Sequence, residues 1–194
     1  MKTDIITISS DGSNMEGVLH QVDALTAYKG LPPKNALHLR LLAEETMAMM
    51  RAITGNVDGE FWIEDRDNVY ELHLRVEALT DKKRREQLLS ASSTGKNEAT
   101  RGLMGKIRAF FEPTPDVPML SSGIVCVAPQ RFGCCQWSME DYRKQLRQHR
   151  EQDAEGSQEA WDELEKSVIS HVADDVRVGI LGRTVEMTII KHMQ

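Results

Sequence analysis

The chain has 194 residues, 40% of them hydrophobic and 28% charged, an ordinary globular composition that excludes global disorder. Its net charge of −6 argues against general nucleic-acid binding, which leaves a basic footprint. The three cysteines, Cys126, Cys134 and Cys135, are odd in number and two are adjacent. They therefore form no disulfide framework and fit the reduced thiols of a cytoplasmic protein. The first residues carry no apolar stretch of signal-peptide length. The longest uncharged run, Val117 to Gln130, includes prolines and is shorter than the roughly 20 residues of a spanning helix. No membrane association is expected.

The pattern along the chain opens with the β-branched Ile5-Ile6-Thr7-Ile8, a strand. Ser13 followed by Glu16 reads as a capping box, and Met15, Val18, Leu19, Val22 and Leu25 follow at helical spacing until Gly30-Leu31-Pro32-Pro33 stops them. A second helix carries Leu39, Leu42, Thr46, Met49 and Ile53 on one stripe, with Gly55 just past its end. Glu45 and Met49, four apart, share a face. Val57 to Ile63 and Tyr70 to Ala78 alternate around the turn residues Asp65-Arg66-Asp67-Asn68, predicting an antiparallel hairpin.

Residues 81–101 hold the basic run Lys82 to Arg85 and a small polar stretch, read as a short helix and a mobile loop. Leu103, Ile107 and Phe110 or Phe111 predict a further helix, ended by Pro113. Residues 113–137 read as loop with one strand around Ile124 to Ala128. Ser138 caps a long polar helix, an amphipathic helix then runs to about Val172, and Val176 to Ile189 alternate as a terminal hairpin around Gly182-Arg183. Helices with mainly antiparallel strands predict an α+β fold: a two-layer sandwich with a mixed, mainly antiparallel sheet covered by helices on one face.

This order and several local strings resemble the GHKL (Bergerat-fold, histidine-kinase-like) ATPase superfamily, and within it the anti-sigma-factor serine kinases. Gly30-Leu31-Pro32 leading into Leu39 to Met49 is similar to the N-box helix, where the family has Glu, three residues, then Asn. Val76-Glu77-Ala78-Leu79 stands where the family has Asp-x-Gly-x-Gly. Gly102-Leu103-Met104-Gly105 resembles the second glycine box, and Gly182 to Met187 the final Gly-Thr strand. The resemblance covers residues 4–112 and 175–192 of a single domain, 1–194, with an insertion at 113–172.

The resemblance implies ATP with Mg²⁺ as cofactor. Glu45 would be the general base. Met49, Glu77, Leu79, Gly95, Lys96, Gly102, Gly105 and Thr184 would occupy nucleotide-site positions, with amides at a helix start holding phosphate. Three of these residues depart from the pattern, Glu77 keeping an acid that is one methylene longer than the family's Asp. Met49 replaces the magnesium-binding Asn, and a thioether is a poor ligand for a hard cation. Leu79 replaces a glycine and would crowd the adenine. The expectation is a regulatory protein whose ATP binding is weakened or lost and which works through a protein partner, with 113–172 as the contact surface. The alternative is an ATP-binding serine/threonine protein kinase of the anti-sigma-factor type. Self-assembly as a homodimer is a third reading.

Simpler roles compete at each position. Glu45 reads more readily as a solvated helix carboxylate than as a base, and Met47, Met49 and Met50 as core filler rather than a ligand cluster. Thr94-Gly95-Lys96-Asn97 lacks the rest of a P-loop. His20, His38, His73, His149, His171 and His192 show no metal-ligand spacing, so no metal site is expected.

Overall fold

The computed structural model describes residues 1–9, 12–54, 58–77, 125–126, 134–151, 161–162, 164–165, 167–181 and 184–193. Strand β1 (Ile6–Ser9) leads to helices α1 (Met15–Tyr28) and α2 (Pro33–Thr54), then to the hairpin of β2 (Asp58–Arg66) and β3 (Val69–Glu77). Beyond these come β4 (Val125–Cys126), β5 (Cys134–Ser138), α3 (Met139–Glu151), α4 (Val168–Val172), β6 (Asp175–Leu181) and β7 (Thr184–His192). The seven strands form one sheet in the order β1-β2-β3-β7-β6-β5-β4. Every pairing among them is antiparallel, so the mixed sheet expected from the sequence is antiparallel throughout its described strands. The class is α+β.

Strand alternation sorts the side chains. Phe61 and Ile63 of β2, Tyr70, Leu72, Leu74 and Val76 of β3, Val176 and Val178 of β6 and Val185, Met187 and Ile189 of β7 join one buried cluster. Val18, Val22 and Leu25 of α1, Leu39, Leu42, Met47 and Met49 of α2, Met139, Tyr142 and Leu146 of α3 and Ile169 and Val172 of α4 complete it. The described helices therefore back a single face. Trp62, His73, Asp175 and Ile190 are buried outside this cluster and belong by alternation to the far face.

The ends of the elements have local causes. After α1, Gly30 adopts a left-handed conformation (φ 61°), its N–H donates to the carbonyl of Ala27, and the Leu31 N–H donates to that of Thr26. That is the Schellman pattern, and it satisfies carbonyls the helix would leave bare. The N-cap position falls on Asn14 and not on the expected Ser13. Asn14 is in a left-handed conformation with no side-chain cap, and its Nδ2 donates instead to the Thr7 carbonyl of β1 at 2.7 Å. In the β2-β3 turn, Asp67 and Asn68 both have positive φ (50° and 63°), the two-residue geometry that matches strand twist.

The described residues within 113–172 share the same sheet and core. β5 extends the sheet beyond β6, and Trp137 of β5 is buried against Tyr142 of α3. Ser138 caps α3: the Asp141 N–H donates to its Oγ at 3.1 Å, and its hydroxyl donates to Asp141 Oδ2 at 2.8 Å. Asp175 of β6 reaches the same helix start, where its Oδ1 accepts the Glu140 N–H at 3.1 Å and the Val176 N–H at 2.9 Å. The amphipathic helix expected through Val172 is interrupted at Ser167, which precedes α4.

Candidate functional site

The sequence-derived nucleotide positions fall on both sides of the sheet. On α2, Glu45 is half-buried and Met49 is 2% exposed, inside the core. Three residues separate the end of α2 from β2, whose Gly59 pairs with Val76, which in turn pairs with Val185. The C-terminal half of α2 thus lies toward the sheet end that carries Glu77 and Thr184. Those two residues are direct cross-strand partners. Glu77 is exposed and Thr184 half-buried, and alternation puts both on the far face, with the sheet between them and Met49. Leu79, Gly95, Lys96, Gly102 and Gly105 lie outside the described residues, as do the Lys82 to Arg85 run and Leu103.

The densest polar arrangement on the far face was not anticipated from the sequence. The tight turn fixes the hairpin register, so Trp62 faces His73, Glu64 faces Glu71, and Glu60 faces Arg75. On the other side, His73 faces Thr188 and Arg75 faces Glu186. The Trp62 and His73 rings stack with centroids 4.8 Å apart and planes 2° from parallel. Lys2 Nζ lies 4.6 Å and the Arg75 guanidinium carbon 4.8 Å from the Trp62 ring centre. These cation–π contacts help bury the indole, which is 3% exposed.

Most of the buried polar atoms around this stack are hydrogen-bonded, and His73 Nε2 is not. The Trp62 Nε1–H donates to Glu64 Oε1 at 2.9 Å, and Lys2 Nζ is 3.1 Å from the same oxygen. The indole hydrogen bond, followed by the Lys2 ammonium, holds the Glu64 carboxyl below the usual carboxylate range. Arg75 Nε and Nη2 both donate to Glu186 Oε2, at 3.3 and 3.1 Å. His73 Nδ1 lies 3.2 Å from Thr188 Oγ1 and 3.5 Å from Glu186 Oε1. His73 Nε2 is buried and makes no hydrogen bond among the described residues; Glu71 Oε2 is 3.5 Å away. Donor atoms of Glu64, Glu71 and His73 all lie within 4.8 Å of one another. Counting outward from the Asp67-Asn68 turn would have revealed this grouping, since histidine spacing along the sequence carries no trace of a cross-strand neighbour.

No family model matches the chain, and no curated protein is significantly similar to it.

Proposed function

We propose that the chain is a regulatory protein on a scaffold resembling the GHKL ATPases, with ATP binding weakened or lost, acting through contacts with a protein partner. The observation that carries this reading is Met49. Where the resemblance asks for a magnesium ligand, a thioether is packed into the hydrophobic core, and a hard cation has no reason to enter there. Glu77 gives further support: the acid that would read adenine sits on the face turned away from α2. The partner surface assigned to 113–172 is supported by α3. Its Glu140, Lys144, Arg147 and Gln148 are exposed, while Ser138 and Asp175 fix the helix start.

A phosphoryl-transfer assay with labelled Mg-ATP and serine-containing protein substrates tests the reading. The expected result is no transfer above background. Magnesium-dependent transfer that disappears in Glu45→Gln would establish the kinase instead, with Glu45 as its base.

A further inference from the structure

We infer that Glu64, Glu71 and His73 form a binding site for a first-row divalent transition-metal cation of the zinc class, on the far face of the β2-β3 hairpin. This inference is independent of the nucleotide question. It rests first on a conflict built into the sheet. Glu64 and Glu71 are direct cross-strand partners, and like charges in that position repel. Around the Trp62–His73 stack, the carboxylates of Glu60, Glu64, Glu71 and Glu186 face the cations of Lys2 and Arg75. Arg66 also lies on this face by alternation, two residues from Glu64, so among the described residues four carboxylates stand against three cations, a residual negative charge that a bound cation would offset.

The second, independent observation is His73. The residue is 9% exposed, and its Nε2 is buried, without a hydrogen bond, on the side of the ring facing Glu71. A buried polar atom without a partner is costly, and its aim into a pair of carboxylates specifies what the partner should be. The far side of the ring is arranged as a metal-ligating histidine requires. Nδ1 lies against Thr188 Oγ1 and Glu186 Oε1, and a proton shared with those oxygens leaves Nε2 as the lone-pair donor. Glu64 is oriented by the Trp62 Nε1–H bond. The 3.5 Å between His73 Nε2 and Glu71 Oε2 matches the roughly 3.4 Å ligand separation of a tetrahedral site with bonds of about 2.1 Å; the three donors together span up to 4.8 Å, so Glu64 closes on the cation by a change of rotamer.

One imidazole nitrogen with two carboxylates selects a borderline cation over Mg²⁺ or Ca²⁺, which prefer oxygen alone. Three protein donors leave a tetrahedral cation one further position for water or a partner's side chain. Lys2, bonded to Glu64, competes for the same carboxylate.

The test is calorimetric titration of the EDTA-stripped full chain with Zn²⁺ alone, repeated with Co²⁺ for its visible spectrum. The wild type should bind one equivalent saturably, with a cobalt spectrum lacking thiolate charge-transfer bands. His73→Gln and Glu71→Gln should each weaken binding about tenfold or more, and Lys2→Met should preserve or tighten it. Circular dichroism checks the fold of each variant, and Glu71→Gln, which keeps the side-chain shape, carries the test if His73→Gln does not fold. Absence of saturable binding would mean that Nε2 holds only a proton, and would overturn the proposal. Binding that survives both substitutions, or that shows thiolate bands, would place the metal elsewhere and overturn it equally.

Discussion

Met49 and Asp65 show how a buried residue takes its meaning from its surroundings. Met49 sits on the α2 stripe with Leu39, Leu42 and Thr46, and all four are buried; the flexible thioether fills the space between the helix and the sheet. Asp65, by contrast, is a buried charge at the end of β2. It pairs with the Lys29 ammonium at the end of α1 and with the Met1 amino group. Burial pushes its carboxyl up, but the Lys29 bond and then the Met1 amino group outweigh that effect and hold it below the ordinary value. A depressed carboxylate stabilises the fold above its unfolded pKa of about 3.9, and that contribution is lost as pH falls through the lower folded value. Asp65→Asn should therefore reduce unfolding free energy by about 2 kcal/mol at pH 7, with the deficit shrinking as pH drops below about 4. Urea melts of both proteins across that range measure it.

At the scale of elements, α3 and the sheet hold each other through Asp175. Its carboxylate satisfies N–H groups of both α3 and β6 and also bonds Arg177 Nε at 3.0 Å. Asp175→Ala leaves those donors bare, so a loss of about 2 kcal/mol is expected, read from the denaturation midpoint. Amide exchange should quicken in Met139 to Tyr142 more than in α1. The elements legible in the sequence were those with a strong local signal: the α1 and α2 stripes, the β2-β3 and β6-β7 alternations, and Ser138 as a cap. β5 was not legible. Cys134-Cys135-Gln136-Trp137 has little β-branched character, and it is a strand because β6 offers it an edge. The N-cap of α1 falls on Asn14 and not on Ser13, and the tie from Asn14 to β1 fixes how the chain enters α1. Trp62, Glu64, Glu71 and His73 look unremarkable in the linear order because only the hairpin brings them together.

At the scale of the whole molecule, a helix-backed antiparallel sheet carries a split set of nucleotide-like positions. Glu45 and Met49 lie with the helices, and Glu77 and Thr184 lie across the sheet. Among the described residues, no helix is long and apolar enough to cross a membrane. The central proposal is that ATP binding is weakened or lost, with Met49 in place of a magnesium ligand, and that the protein acts through contacts with a partner. Calorimetric titration with ATP, with and without Mg²⁺, tests it most directly, at concentrations that detect a Kd up to about 1 mM, or roughly −4 kcal/mol. The account predicts no saturable heat and no shift in melting temperature. Saturable, magnesium-dependent binding would contradict it.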